Sequence, residues 1–162
     1  MTTTFEVAVE PVNDKPEVAQ ISNSIVQEDA SEQTILVNGI NSGPNENQPV
    51  AVTVASSNTD ITGELTFDLN ELSNAGTIKF TPVANRFGDS TITVLVQDGG
   101  LDNNLATIED NAIRQEEFVI SVMPVNDSPV FSKPGDLTIG EDSRNTILNI
   151  ANVLAGPFES QD

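Results

Sequence analysis

The chain has 162 residues, of which 25 are acidic and 6 are basic, and its formal net charge is −19. It contains no cysteine, histidine, tryptophan or tyrosine. These absences exclude disulfide bonds, zinc sites built from His and Cys, and His-based or Cys-based catalysis. The acidic field repels nucleic acid and anionic membrane surfaces and attracts cations. We therefore expect no nucleic-acid partner, no direct membrane insertion of this stretch and no enzymatic activity.

A repeated phrase lies near each end of the sequence. Residues 5–18 read FEVAVEPVNDKPEV and residues 118–131 read FVISVMPVNDSPVF, which are 113 positions apart. Further matches at nearly the same offset are Glu28-Asp29 with Glu141-Asp142, Thr34–Leu36 with Thr146–Leu148, and Gly43-Pro44 with Gly156-Pro157. The repetition predicts a tandem array of units of about 110 residues. Residues 1–13 are then the last strand of a preceding repeat, 14–127 a complete repeat, and 128–162 the start of a following, truncated repeat.

About seven runs of the complete repeat are predicted strands, because nearly every one has the period-two pattern of a half-buried strand. In chain order the runs are 21–26, 34–37, 50–54, 65–69, 77–81, 91–97 and 118–122. Turn-forming residues separate them, and helical periodicity is nearly absent. The pattern predicts an all-β fold, an antiparallel Greek-key β-sandwich of about seven strands of the Ig-like or cadherin-like type. The expected core is Ile35, Val37, Val52, Val54, Leu65, Phe67, Ile78, Phe80, Ile92, Val94, Val96, Phe118, Ile120 and Val122.

The last strand runs directly into Pro-Val-Asn-Asp-Ser-Pro, with no flexible spacer. Because proline restricts its own φ and the conformation of the residue before it, Pro124 and Pro129 favour an extended and stiff crossing between units. The array is therefore expected to be a rod.

Three stretches resemble one family. Residues 125–131, VNDSPVF, are similar to the inter-repeat junction of cadherin and bacterial cadherin-like repeats, and residues 96–100, VQDGG, resemble the Asp-x-Gly turn of that family. Glu28 stands where cadherin repeats carry their first calcium-ligating glutamate. The resemblance implies an extracellular or cell-surface protein, with signal and anchor outside this stretch, that acts in adhesion. Its partners would be neighbouring repeats of the same chain, with surface proteins or glycans as further candidates.

The resemblance also implies calcium at the junctions, where irregular loops supply six to eight oxygen ligands. The junction with the following unit would use Glu28, Asn126, Asp127 and the 155–159 turn. The preceding junction would use Asn13 and Asp14 with Asn45 or Glu46 and with Asp98. The chain departs from the cadherin pattern because residues 84–87 read ANRF in place of an acidic triplet and Pro124 replaces a leading aspartate. At most one calcium ion per junction is therefore expected.

Each candidate ligand also has an interpretation that involves no metal. Asp98 before Gly99-Gly100 is suited to capping a turn, and Asn126-Asp127 to fixing the linker by side-chain hydrogen bonds. Glu28-Asp29 is compatible with a solvated loop. The corresponding alternative function is a metal-independent structural spacer, carried beside a catalytic or carbohydrate-binding domain elsewhere in the chain.

Overall fold

The structure, a computed structural model, describes residues 3–156, and nine strands lie in that part of the chain. The strands are β1 Ser24–Gln27, β2 Gln33–Asn38, β3 Val50–Ser56, β4 Thr66–Asn70, β5 Ala75–Phe80, β6 Gly88–Asp98, β7 Ile113–Met123, β8 Val130–Ser132 and β9 Ala151–Leu154. A single helical turn, α1 Thr59–Thr62, follows β3, and a 3₁₀ turn, Glu71–Ser73, follows β4. Within residues 3–156, no helix has the length and apolar character needed to cross a membrane.

The first seven strands form the two sheets of the sandwich. The first sheet has the order β1-β7-β6-β3, and the second has the order β2-β5-β4. Their facing side chains share one hydrophobic core. The predicted all-β sandwich of about seven strands is thus confirmed.

One pair of strands departs from the antiparallel expectation. β1 runs parallel to β7, with Ser24 opposite Ile120 and Gln27 opposite Met123. The remaining pairs of the two sheets are antiparallel. Period-two alternation marks a strand but not its direction, so the sequence did not distinguish a parallel edge strand from an antiparallel one. The parallel pairing brings the end of β1 beside the end of β7.

The core follows the predicted alternation along the two longest strands. Ile92, Val94 and Val96 of β6 are fully buried, and β7 buries Phe118, Ile120 and Val122 beside them. Five of the predicted core residues are only partly buried and pack against this cluster, namely Ile35, Val52, Val54, Leu65 and Phe67. Val18, Ile40 and Ile61 belong to the core although they lie outside the predicted strands.

The hairpin β8–β9 repeats a pairing found at the start of the predicted repeat 14–127. The pairs are Val130 with Leu154 and Ser132 with Ala151 in the hairpin, and Glu17 with Asn41 and Ala19 with Asn38 in the unit. Both pairs of the hairpin are displaced from those of the unit by the same 113 positions. Asn152 also has a positive φ, as Gly39 does at the equivalent position. The offset found in the sequence is therefore visible in the backbone.

The N-terminal segment has a sequence like that of β7, but it does not pack in a sheet as β7 does. Residues 3–10 carry no regular secondary structure and are exposed. Phe5 is 90% exposed, whereas the equivalent Phe118 in β7 is 3% exposed. The apolar face of residues 5–9 has no sheet to cover it within the described part of the chain.

Candidate functional site

The predicted ligands lie at the two ends of the first sheet. β6 has eleven residues from Gly88 to Asp98, so its ends are roughly 33 Å apart. Asp98, at one end, meets the segment through which the chain enters the unit, and we call this end the entrance. The chain leaves at Met123, one residue after Val122, which lies opposite the start of β6, and we call that end the exit.

The side chain of Asn13 is held at the entrance by three groups. Its Nδ2 lies 3.3 Å from both carboxylate oxygens of Asp98 and donates to the backbone carbonyl of Asp110 at 2.9 Å. Its Oδ1 accepts a hydrogen bond from Gln48 Nε2 at 2.7 Å. The orientation of the amide follows from this network, because carboxylate and carbonyl oxygens only accept. Both the nitrogen and the oxygen of the Asn13 amide are therefore hydrogen-bonded.

Asp98 is fully buried and well supplied with donors. Its Oδ1 accepts from the backbone N–H groups of Gly100 at 3.0 Å and Ala112 at 2.8 Å, in addition to Asn13. A buried carboxylate needs such partners because its desolvation is costly. Gly100 has φ of +58°, and a Cβ added there would lie 2.6 Å from Asp110 Cγ. Asp98 thus caps the turn, as one reading of the sequence held, and also holds the entering segment.

A second contact fastens the residue after Asn13. The backbone N–H of Asp14 donates to Glu46 Oε1 at 3.0 Å, while the Asp14 side chain is exposed. Glu46 Oε2 is buried and has no hydrogen-bond partner. Asn45, the alternative to Glu46, is exposed and has a positive φ. Of the two candidates, Glu46 is the one that contacts the junction.

Two residues of the entrance were not predicted from the sequence. Gln48 contacts Asn13 through its side chain, and Asp110 does so through its backbone carbonyl. A signal for Gln48 was present, because Gln161 lies 113 positions later, just as Glu159 lies 113 positions after Glu46. No such signal exists for Asp110, since its equivalent would lie beyond residue 162.

At the exit, Glu28 is buried and bonded to the junction. It is 4% exposed, and its Oε1 accepts from the backbone N–H of Val125 at 2.8 Å. Its own N–H donates to the carbonyl of Met123 at 2.9 Å. Glu28 Oε2 is buried without a hydrogen-bond partner. Glu28 therefore does not lie on a solvated loop, although the neighbouring Asp29 is exposed.

The junction residues themselves are more open. Asn126 is exposed, and its Nδ2 donates to the carbonyl of Asp127 at 2.9 Å, which is a side-chain hydrogen bond within the linker. Asp127 is half-buried. The structure thus brings Glu28 to the backbone beside these two residues. Positions 157–159 of the predicted 155–159 turn lie outside the described residues.

The two ends differ in how well they suit a calcium ion. In residues 3–156 no three acidic side chains form a group that could hold a metal. At the entrance, N–H donors already surround the Asp98 carboxylate, so this carboxylate as placed does not fit a cation, whereas Glu46 Oε2 is a buried acceptor without a hydrogen-bond partner. At the exit, Glu28 Oε2 is a buried acceptor with nothing bound to it, and a cation is a suitable partner for such an oxygen.

Comparison with known proteins gives little beyond the architecture. No protein-family model matches the chain, and no curated protein matches it. Among solved structures, PapD-like domain 7 (ASH/PapD-like) of human CEP192 is similar, with a TM-score of 0.40 and 12% sequence identity. The match covers 77% of this chain and 98% of that domain. Likeness at this level bears on no function, and the fold class rests on the two facing sheets and their strand order. The fold is an Ig-like β-sandwich.

Proposed function

We propose that this chain is a stretch of an extracellular array in which Ig-like units stack end to end into a stiff rod that serves in adhesion. The observation that carries the proposal is the position of the two junctions. The chain enters beside Asp98 and leaves beside Met123, at opposite ends of the strand pair β6–β7. A unit with its connections at opposite ends extends an array, whereas one with adjacent connections would fold it back.

Both connections are held against the sandwich. Asn13 and Asp14 are hydrogen-bonded to side chains of the unit at the entrance, and Val125 is bonded to Glu28 at the exit. The exit continues β7 directly and is bracketed by Pro124 and Pro129, which limit rotation of the backbone. Each unit would therefore pass its orientation to the next. The resemblance to bacterial cadherin-like repeats supports the cell-surface location and the adhesive role, with surface proteins or glycans as contacts.

Small-angle X-ray scattering on a protein with two complete units tests the rod. We expect a maximum dimension nearly twice that of a single unit, with little spread, because no flexible residues separate β7 from the next entrance. The single unit, measured at the same concentration, is the control. A compact two-unit particle, or the broad distance distribution of freely swivelling units, would contradict the proposal.

A second candidate is that calcium stiffens the exit. The specific observation is the buried Glu28 Oε2, which has no hydrogen-bond partner, while Oε1 of the same carboxylate is bonded to the N–H of Val125, the residue before Asn126. Calcium accepts carboxylate and amide oxygens in irregular arrangements. Glu28, Asn126 and Asp127 would supply protein ligands there, at most one ion per junction.

Calcium titration separates this candidate from a metal-independent spacer. If an ion binds at Glu28, millimolar calcium should raise the melting temperature of the two-unit protein by about 2–4 °C, since a ligand of the native state stabilises it by mass action. Magnesium should do less because it requires stricter octahedral geometry. Glu28→Gln should remove the calcium shift while keeping an acceptor for the Val125 N–H. The absence of any shift in the unaltered protein would leave the spacer as the better function.

A further inference from the structure

We propose that the entrance of each unit is a metal-independent lock, in which the amide of the junction asparagine takes the place that a cation would occupy before a buried carboxylate. The inference rests on the proposed array function and specifies how one unit recognises the chain arriving from its neighbour. We call the group of Asn13, Gln48, Asp98 and the Asp110 carbonyl the entrance lock.

The position of Asn13 Nδ2 shows that an amide occupies the site in front of the Asp98 carboxylate. Asn13 Nδ2 is equally distant from the two oxygens of Asp98, at 3.3 Å from each, so it lies in front of the carboxylate, where a bridging cation would bind. The backbone N–H groups of Gly100 and Ala112 approach the same carboxylate. Asp98 is therefore satisfied by N–H donors on several sides, and a metal would first have to displace the asparagine.

The lock distinguishes an amide from a carboxylate. Asn13 must donate to Asp98 and to the Asp110 carbonyl, and it must accept from Gln48. An aspartate at position 13 satisfies only Gln48 and places a second negative charge against Asp98. An alanine makes none of these contacts, so Asp98 keeps only its backbone donors and the other two groups lose their bonds to residue 13, which is destabilising. Asparagine is the side chain of this length that meets all three requirements.

The sequence repeats two members of the lock, Asn13 and Gln48, and the neighbouring Glu46. At the offset of 113, Asn126 and Asp127 stand for Asn13 and Asp14. At the same offset, Glu46 and Gln48 recur as Glu159 and Gln161, whereas Asn45 and Asn47 between them are replaced by Phe158 and Ser160. Residues 158–161 lie outside the described part, so this comparison is one of sequence alone. The two side chains that touch the junction recur, and the two that do not touch it change.

Amide hydrogen exchange on this chain tests the lock. Gly100 and Ala112 are the reporters, because their N–H groups donate to the carboxylate that holds Asn13. We expect Asn13→Asp to raise the exchange rates of both amides roughly tenfold or more, the factor that corresponds to one lost hydrogen bond to a charged group. Gln48→Ala removes a single contact and should give a smaller increase at the same two amides. The matched control is Asn126→Asp, which makes the same change at an exposed side chain and should leave both rates unaltered.

Repeating the exchange measurement in millimolar calcium and in excess chelator tests independence from metal. The two rates in the unaltered chain should be the same in both solutions. Faster exchange of Gly100 and Ala112 in chelator would overturn the lock, and so would unchanged rates in Asn13→Asp. The scattering experiment tests the array separately. A compact two-unit particle would contradict the array, but it would not change the exchange rates of Gly100 and Ala112.

Discussion

Phe118→Ala is expected to lower the free energy of unfolding by about 3–5 kcal/mol, whereas Phe5→Ala should change it by less than about 0.5 kcal/mol. The two phenylalanines begin the same repeated phrase. Phe118 lies in β7 and faces the core, so its truncation removes buried apolar surface and leaves a cavity. Phe5 is exposed, so its truncation removes little from the folded unit.

Urea denaturation followed by circular dichroism measures both changes in the same chain. Equal costs for the two variants would show that residues 5–9 are already covered by the unit, and the interpretation of that segment as a strand of a preceding repeat would then be wrong. In a protein extended by the preceding unit, Phe5→Ala should become as costly as Phe118→Ala. That comparison tests whether residues 5–9 pack in a sheet once the preceding unit is present.

Asp98→Ala should destabilise the unit by about 3 kcal/mol or more. Alanine leaves the Asn13 amide and the N–H groups of Gly100 and Ala112 without their common acceptor in a buried place. Asp98→Asn keeps one acceptor for the two backbone groups but sets its own amide against that of Asn13. Its cost should therefore lie between those of the unaltered chain and the alanine variant.

Asp89→Ala is the matched control, since Asp89 is an exposed aspartate on the same strand. Thermal and urea unfolding of the three variants give the comparison. If Asp98→Ala cost no more than Asp89→Ala, the entrance would be an ordinary surface turn, and the role assigned to its carboxylate would be lost.

The alternation of apolar residues was sufficient to predict the strands. Each predicted run became a strand of the sandwich, and the run 91–97 buries Ile92, Val94 and Val96. In the runs 21–26 and 34–37, Ile25 and Leu36 remain exposed. The helical turn α1 was not predicted, because it is set by Asn58, whose Oδ1 accepts from the Asp60 N–H, and not by periodicity. A single turn is too short to show a period of 3.6 residues.

The candidate site was predicted in part. The repeated junction phrase and the Asp-Gly-Gly turn pointed to Asn13 and Asp98, and the fold brings them together although they are 85 residues apart. The sequence did not show whether a metal or an amide faces the carboxylate, since both suit an isolated aspartate. Nor did it show that Glu28 is buried, because burial there depends on the parallel pairing of β1 with β7.

That parallel pairing has a consequence for an array under tension. β1 follows the entrance and β7 precedes the exit, so a pull on the two ends of a unit drags these neighbouring strands in opposite directions. When antiparallel neighbours are pulled apart from one end, their backbone hydrogen bonds break one after another. Parallel neighbours loaded this way must slide past one another, so their backbone hydrogen bonds carry the load together. The Glu28–Met123 backbone contact lies at the end where β7 would be loaded. In the proposed array, β1 and β7 would therefore resist extension together.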